Sequence, residues 1–288
     1  MRRVAFGLLT YFEFFVLALA FVPLMALVAL LAKDDPGRRV RGRWMRRFGR
    51  LTGACAPPWR FSVEGRAPAT IDRRPFVVVA NHLSTADPFL LSKLPWDMRW
   101  VAKEELFRQP VIGWLMRCGG DIPLRRGERA SVEDMFRACR ETLAAGVSVM
   151  LFPEGTRSPD GLLQSFKDGA FQIAIEAQVP VLPVVVQGTR ECRPKGSLWF
   201  GEARAVARVL EPIPTAGMTV DQVPKLRALV HARIAAELRK MAEGAAPAAG
   251  SPPIGLGSLI SARKSTRQRS ASAVVDPRAD VGEGPQSR

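Results

Sequence analysis

Short apolar runs alternate with amphipathic segments between residues 60 and 243. Apolar, β-branched runs of about four to eight residues predict strands, and apolar positions repeated every three or four residues predict helices. We therefore expect strands at 60–64, 76–80, 98–102, 121–124, 147–152, 181–187, 197–200 and 204–210. Helices are expected at 88–94, 104–118, 130–146, 169–178 and 219–242. Such alternation is typical of an α/β fold with a mostly parallel central sheet flanked by helices.

The N-terminal region does not follow this pattern, because residues 4–32 are almost entirely apolar. The charge-free run 14–32 is 19 residues long, about the length that spans a bilayer as a helix. Basic residues are concentrated at 33–50, which favours the cytoplasmic side of an inner membrane for the remainder of the chain. We predict a retained anchor rather than a signal peptide, because no clear cleavage site follows. Glu13 and Pro23 leave open a kinked or interfacial helix instead of a clean span.

A second membrane signal follows in the segment 39–51, RVRGRWMRRFGRL. Helical spacing places Val40, Trp44, Phe48 and Leu51 on one face and arginines around the rest. This is typical of a helix that lies on an anionic membrane surface. The alternative is a basic helix that packs its apolar stripe against the protein body.

The charge distribution and composition predict three domains. The formal net charge is +15; residues 1–50 hold ten basic and three acidic residues (+7), and residues 244–288 hold six and three (+3). We expect a membrane anchor and basic helix at 1–55, a catalytic domain at 56–243, and a disordered basic tail at 244–288, where Ala, Gly, Ser, Pro and Arg dominate. A non-enzymatic nucleic-acid binder is a rival reading of the charge, but no binding motif supports it.

The four cysteines are widely scattered and form no C-x-x-C pair, so we expect reduced thiols and no metal site.

The first candidate for chemistry is VVVANHLSTADPFLL, residues 77–91. The apolar run followed by Asn81 and His82 predicts a buried strand that ends here, and α/β sheets present their chemistry at strand ends. His82 and Asp87 can meet only if the chain bends between them, and Asp87 with Pro88 suits the start of a helix. An Asp folded back onto the imidazole would fix its tautomer and leave the other nitrogen free to accept a proton. An unrelated Asn-His turn is the alternative.

The second candidate is VMLFPEGTRSPDG, residues 149–161, again a strand that runs into a polar turn. A flexible glycine, a hydroxyl and the guanidinium of Arg157 could form a phosphate cradle, because arginine matches the geometry of phosphate oxygens. A surface loop with an ion pair is the alternative for this stretch alone.

Other nucleophile and base arrangements have weaker support. Ser84 lies beside His82, but the chain has no G-x-S-x-G elbow. Cys118 would have to recruit a distant histidine. His231 lies in LRALVHARIAAELRK, where an amphipathic helix position explains it.

Four ordered blocks together resemble the glycerolipid acyltransferases, the family of 1-acylglycerol-3-phosphate acyltransferases. The blocks are NHLSTADP with its His-x4-Asp spacing, GDIPLRRG (120–127), FPEGTRS (152–158) and VPVLPV (179–184), and the resemblance covers roughly residues 60–215. It implies transfer of a fatty acyl group from acyl-CoA or acyl carrier protein to the hydroxyl of a lysophospholipid. No cofactor and no metal are implied, and the partners are a lipid bilayer, the two substrates and no nucleic acid.

The resemblance also implies roles for individual residues. His82 would be the general base and Asp87 its orienter. Residues of the second and third blocks would bind the phosphate of the acceptor: Arg126, Glu154, Gly155, Thr156 and Arg157. Lys103 is a further phosphate or oxyanion partner, with an ordinary surface lysine as the alternative. Pro180 and Pro183 are expected to shape an acceptor pocket, unless they only punctuate a strand.

The expected acceptor is lysophosphatidic acid, because two arginines favour a phosphate-bearing lipid, and phosphatidic acid for phospholipid biosynthesis would be the product. Another lysolipid, such as lyso-ornithine lipid, is the alternative. Leu83 and Arg125 depart from residues common in the family and weaken the assignment of one acceptor.

Overall fold

The computed structural model describes residues 2–71 and 73–244. Residues 1–241 form one compact unit; of the second unit, 242–288, only the end of a helix is described. The predicted disordered tail therefore lies, apart from Gly244, outside the described residues. The helices are α1 (Arg2–Leu31), α2 (Arg39–Cys55), α3 (Asp87–Leu91), α4 (Glu104–Phe107), α5 (Pro110–Gly119), α6 (Arg129–Ala144), α7 (Gly169–Glu176) and α8 (Val223–Gly244). The strands are β1 (Trp59–Glu64), β2 (Val77–Ala80), β3 (Met98–Lys103), β4 (Ile122–Leu124), β5 (Ser148–Leu151), β6 (Val181–Gln187) and β7 (Ala203–Val209).

The strands form one seven-stranded sheet in the order β1-β7-β6-β2-β5-β3-β4. All neighbouring strands are parallel except β6 and β7. The β2 strand, VVVA, is buried on both faces, as expected of a central parallel strand. Val78 belongs to a core cluster with helix α3, and Val79 belongs to the cluster on the other face with α6, α7 and α8. The predicted α/β fold with a mostly parallel sheet is confirmed.

Two predicted elements are wrong. The helix expected at 104–118 is divided into α4 and α5, because Pro110 holds the preceding Gln109 in an extended conformation. The strand expected at 197–200 does not form. There the Ser197 hydroxyl bonds the N–H and C=O of Trp199 at 3.1 and 2.9 Å, so a local turn uses groups that a strand would offer to a neighbour.

Helix α2 packs on the body mainly by a face of small residues, and not by the whole apolar stripe that the alternative prediction placed there. Phe48 is buried, but Leu51 is 43% exposed and Trp44 is only partly buried. The buried face instead contains glycines, and a Cβ at Gly42 would lie 2.1 Å from the Arg99 guanidinium. Small residues on this face allow the helix to approach the sheet closely. The exposed side of α2 carries Arg43, Arg47 and Arg50.

Helix α1 contacts the α/β body along most of its length. Trp199 lies against Gly7 near one end, and the Cys118 thiol lies 3.8 Å from the Met25 carbonyl near the other. Between these points Phe14 and Phe21 pack against Phe48. The segment Val4–Leu31 is 28 residues long and contains a stretch with mean hydropathy 2.8, so length and composition would allow it to cross a membrane.

A buried ion pair fastens α2 to the sheet. The Arg46 Nη2 lies 2.9 and 3.0 Å from the two carboxylate oxygens of Asp121, and the Trp100 N–H donates to the same carboxylate at 3.0 Å. Arg46 and Asp121 are each only 6% exposed. The guanidinium also lies over the Trp100 ring, 5.1 Å from its centroid.

We expect Asp121→Leu to destabilise the protein by about 3–5 kcal/mol, because it leaves a buried guanidinium without its counter-charge. Thermal unfolding in detergent measures the loss. The double variant Arg46→Leu/Asp121→Leu is the control, and it should recover most of the stability because no buried charge remains. Equal losses in the single and double variants would contradict this account.

Candidate functional site

The loops that follow four parallel strands lie at the same end of the sheet, because parallel strands have their carboxyl ends on one side. This carboxyl end of the sheet is called the edge below. His82 follows β2, and FPEGTRS follows β5, the immediate neighbour of β2. Lys103 ends β3, and Arg126 follows β4, the outermost strand. With about 4.8 Å between strands, β4 lies roughly 14 Å from β2. His82, the FPEGTRS loop, Lys103 and Arg126 therefore lie at the same end of the sheet, with Arg126 farthest from His82.

His82 and Asp87 are in direct contact. The imidazole Nδ1 lies 2.7 Å from Asp87 Oδ2, which also accepts the backbone N–H groups of Leu83 at 2.8 Å and Ser84 at 3.0 Å. The Asp87 side chain is fully buried, and the His82 side chain is 17% exposed. The Asp87 carboxylate turns back to the histidine loop instead of capping α3, whose N-cap has no side-chain hydrogen bond.

This arrangement fixes the chemistry available to the imidazole. Because Nδ1 donates to a carboxylate, Nε2 carries the free lone pair. Within residues 2–71 and 73–244, Nε2 has no hydrogen-bond partner. The Phe152 ring stacks on the imidazole at 4.0 Å between centroids and 15° between planes, which restricts the ring orientation. A histidine held in this way can accept a proton at Nε2.

Glu154 joins the two loops. Its Oε1 accepts the His82 backbone N–H at 2.8 Å, and its Oε2 accepts the Gln164 side-chain amide at 2.8 Å. The Ser158 N–H donates to the His82 carbonyl at 2.8 Å, which makes a second link. Burial raises the pKa of Glu154 above its ordinary value, and the hydrogen bonds from His82 and Gln164 oppose that rise. Glu154 therefore positions the loops and does not face an open phosphate site.

We expect Glu154→Gln to lower both stability and kcat. The amide has one acceptor oxygen where the carboxylate has two, so either His82 or Gln164 loses its partner. A buried donor left unpaired costs about 1–3 kcal/mol. The thermal unfolding midpoint and kcat measure the two effects. Glu133→Gln, on the exposed face of α6, is the control and should change neither. An unchanged unfolding midpoint in Glu154→Gln would contradict the link.

Arg157 is the strongest anion-binding candidate. Its guanidinium is half-buried and makes no hydrogen bond to any residue that the structure describes. Burial lowers the pKa of Arg157, nearby Arg193 lowers it further, and the charge of Asp87 opposes both. A partly desolvated cation without a hydrogen-bonded partner favours binding of an anion.

The other predicted phosphate-binding residues differ in their contacts and exposure. Gly155 has φ +71°, which an L side chain rarely adopts, and it gives the loop its tight turn. Thr156 accepts a hydrogen bond from Lys195 at 3.4 Å. Lys103 and Arg126 are exposed and, within the described chain, make no side-chain hydrogen bond. Desolvation lowers the pKa of Arg126, opposed by Glu105.

The structure does not bring Pro180 and Pro183 to this edge. Pro180 precedes β6 at the opposite end of the sheet, where its carbonyl accepts the N–H of Val77 at 3.1 Å. Pro183 lies inside β6, beside Val79. The expected acceptor pocket therefore has no support from their placement. Both residues are buried in the sheet, so they shape strand pairing instead.

Several residues that the sequence analysis missed contribute to the site. Phe152, Gln164 and Ser158 contact His82 or Glu154, and Lys195 reaches the loop of Thr156 and Arg157. Only Phe152 and Ser158 lie in a recognisable block; the contacts of Gln164 and Lys195 depend on tertiary folding. Among the described residues, no cluster of three or more His, Cys, Asp or Glu could hold a metal.

Comparisons with known proteins agree with this geometry. The family described as "Acyltransferase" matches residues 60–187. The chain is 34% identical over 194 residues to 1-acyl-sn-glycerol-3-phosphate acyltransferase BAT2, chloroplastic, of Brassica napus, covering 64% of this chain and 56% of that protein. It is 40% identical over 141 residues to 1-acyl-sn-glycerol-3-phosphate acyltransferase LPAT1, chloroplastic, of Arabidopsis thaliana. That match covers 49% of this chain and 40% of the Arabidopsis protein. The human alpha enzyme is 37% identical over 157 residues, covering 53% and 55%.

The chain thus spans about half the length of the curated relatives it matches. A solved structure extends the match. The crystal structure of the 1-acyl-sn-glycerophosphate (LPA) acyltransferase PlsC from Thermotoga maritima has a TM-score of 0.71 and 30% identity, and covers 83% of this chain and 96% of that chain. The chain therefore belongs to the acyltransferase family that includes the 1-acyl-sn-glycerol-3-phosphate acyltransferases.

Proposed function

We propose that the protein transfers a fatty acyl group from acyl-CoA or acyl carrier protein to the 2-hydroxyl of 1-acylglycerol-3-phosphate, which gives phosphatidic acid for phospholipid biosynthesis. The observation that carries the proposal is the contact of His82 Nδ1 with buried Asp87, together with the nearby Arg157 guanidinium, which has no hydrogen-bonded partner among the described residues. A base and a phosphate-binding cation in adjacent loops match an acceptor that carries a hydroxyl and a phosphate.

The proposed reaction is a direct acyl transfer. Nε2 of His82 takes the proton of the acceptor hydroxyl as its oxygen attacks the thioester carbonyl. The tetrahedral intermediate collapses, the carbon–sulfur bond breaks, and the thiolate receives the proton from the imidazolium. Asp87 stabilises the imidazolium and holds its tautomer through the Nδ1 contact of 2.7 Å. No acyl-enzyme forms and no cofactor takes part.

Arg157 would hold the acceptor phosphate, with Lys103 at the end of the next strand beyond β5 and Arg126 farther along the edge. Thr156 and Gly155 would shape the loop, and Glu154 would hold it against the histidine loop. Arg157 would contribute more to phosphate binding than Arg126. Arg126 follows β4, which is the strand farthest from β2 in the half of the sheet that contains β5, β3 and β4.

The proposed location is the cytoplasmic face of the inner membrane. Helix α1 contacts the body from Gly7 to Met25, a length of about 27 Å at 1.5 Å per residue. A spanning helix would draw the body into the hydrocarbon, including charged Arg117, whose carbonyl bonds Arg38. We therefore favour an interfacial helix, with exposed residues such as Phe12 and Leu30 in the lipid.

A panel of lysolipids tests the function. Purified full-length protein with labelled acyl-CoA should acylate lysophosphatidic acid fastest and give labelled phosphatidic acid. Lyso-ornithine lipid and monoacylglycerol, which lack a phosphate, are the comparison substrates. Faster acylation of either would overturn the assignment of the acceptor.

A further inference from the structure

The loop that joins β6 to β7, residues 188–202, exposes two large apolar side chains at its tip. Leu198 is 68% exposed and Trp199 is 40% exposed. The sequence pattern of these residues predicted a strand, but no strand covers them. Large exposed apolar side chains indicate a binding surface when they are contiguous with other exposed apolar side chains.

This tip is contiguous with the apolar surface of helix α1. The Trp199 ring lies so close to Gly7 that a Cβ there would be 2.7 Å from Cε3. The Tyr11 hydroxyl donates to the Leu198 carbonyl at 2.9 Å, and the Tyr11 and Phe200 rings meet edge to face at 5.0 Å. On the same part of α1, Leu8 is 59% exposed and Phe12 is 66% exposed. The loop tip and α1 therefore present one apolar surface.

The loop carries positive charge beside this apolar tip. Residues 188–202 contain three basic and two acidic residues, a net charge of +1, and all three basic residues lie at 190–195. The Arg193 guanidinium carbon lies 6.0 Å from the Tyr11 ring centroid and 5.3 Å from that of Phe200. Aromatic and aliphatic side chains beside basic residues are typical of protein segments at the bilayer interface. There the apolar groups contact acyl chains and the basic groups contact anionic headgroups.

The base of the same loop contacts both site loops. The Ser84 hydroxyl, two residues from His82, donates to the Arg193 carbonyl at 3.0 Å. Lys195 Nζ lies 3.2 Å from the Arg157 carbonyl and 3.4 Å from the Thr156 hydroxyl. A force on the tip can therefore reach the histidine loop and the Arg157 loop through direct hydrogen bonds.

We propose that the 188–202 loop is a second membrane-contacting element, distinct from α1: Leu198 and Trp199 insert into an anionic bilayer surface and hold the His82 and Arg157 loops in place. This inference rests on the proposed function, because it places a lipid-acylating site at the bilayer. The occupant of the apolar tip is the lipid itself, since the tip continues the surface of a helix that is apolar enough to enter a membrane and has cations beside it.

Fluorescence quenching tests the insertion without an activity measurement. Full-length protein is reconstituted with vesicles of phosphatidylcholine and phosphatidylglycerol whose acyl chains carry bromine, which quenches nearby indoles. In the parent protein, brominated vesicles should quench part of the tryptophan emission, and unbrominated vesicles should not. We expect a smaller quenched fraction in Trp199→Phe, because the indole that enters the lipid is missing. Equal fractional quenching in the parent and in Trp199→Phe would overturn the inference, and a protein partner would then be the better occupant.

A paired activity measurement tests the coupling. We expect Leu198→Glu/Trp199→Glu to lower kcat/KM by about tenfold on anionic vesicles, equivalent to about 1.4 kcal/mol, with activity on short-chain substrate in detergent unchanged. Leu229→Glu is the matched control, because Leu229 is 43% exposed on α8, on the other face of the sheet. Equal losses on vesicles and in detergent, or no loss on vesicles, would overturn the coupling.

The two proposals fail in different ways. Parent protein that forms no phosphatidic acid in either assay would overturn the proposed function, whereas the quenching comparison decides insertion by itself. Parent protein that is active while the Trp199 emission is unquenched would overturn only the membrane contact of the loop.

Discussion

His82→Ala should reduce kcat/KM for lysophosphatidic acid by about 10²–10⁴-fold, the usual range for loss of a positioned general base. Nε2 of His82 is the nitrogen that would take the hydroxyl proton, and no neighbouring group replaces it in the contacts described above. The protein should remain folded, because Asp87 still accepts the N–H groups of Leu83 and Ser84. Steady-state rates with labelled acyl-CoA and a thermal unfolding curve measure the two outcomes.

His231→Ala is the matched control, since the chain has two histidines. His231 lies on α8, where its ring meets Phe166 edge to face at 4.8 Å, on the sheet face opposite α3. We expect its loss to leave kcat/KM unchanged. Activity of His82→Ala within about tenfold of the parent would rule out the general-base mechanism.

Arg157→Ala should lower kcat/KM for lysophosphatidic acid by about ten- to a hundredfold, because a hydrogen bond to a charged group contributes about 1.5–3 kcal/mol. The loss should fall mainly on KM if Arg157 binds the phosphate equally in the ground and transition states. Activity on monoacylglycerol, which lacks the phosphate, should stay the same. Initial rates over a range of both acceptors measure the change in discrimination.

Variants of two adjacent arginines, Arg126 and Arg125, provide comparisons for Arg157→Ala. Arg126→Ala should have a smaller effect than Arg157→Ala, because Arg126 follows the strand farthest from β2 on this side. Arg125→Ala is the control, since Arg125 is already paired with Glu104 and Glu128 on the surface. A proportional loss on both acceptors would show that Arg157 supports the fold and does not recognise phosphate.

The parts of the site that sequence could predict are those fixed by nearby residues. His82 and Asp87 are five residues apart, so a single bend at a strand end brings them together. The α/β alternation was equally readable, because each strand and helix carries its own periodicity. The contact of Glu154 with the His82 N–H joins residues 72 positions apart, and no local pattern predicts which atom a buried carboxylate will reach.

The errors also have physical reasons. The alternative prediction for 39–51 placed its apolar stripe against the body, but close packing selected the face that contains Gly42 and Gly49, since small residues permit the approach of Arg99 and Ser92. Contact of the stripe with a membrane surface stays a prediction. The apolar residues at 197–200 suggested a strand, although Leu198 and Trp199 are exposed beside α1. Hydrophobicity indicates what leaves water, but it does not distinguish a protein core from a second apolar surface.

A single carboxylate oxygen of Asp87 accepts three N–H groups. Two of the three donors belong to the main chain, so the backbone forms the turn and the imidazole only occupies its end. The orientation of the reactive ring is then inherited from a short peptide loop, because all three hydrogen bonds to this oxygen lie within residues 82–87. Such a turn can be preserved while the surrounding pockets diverge to accept different lipids.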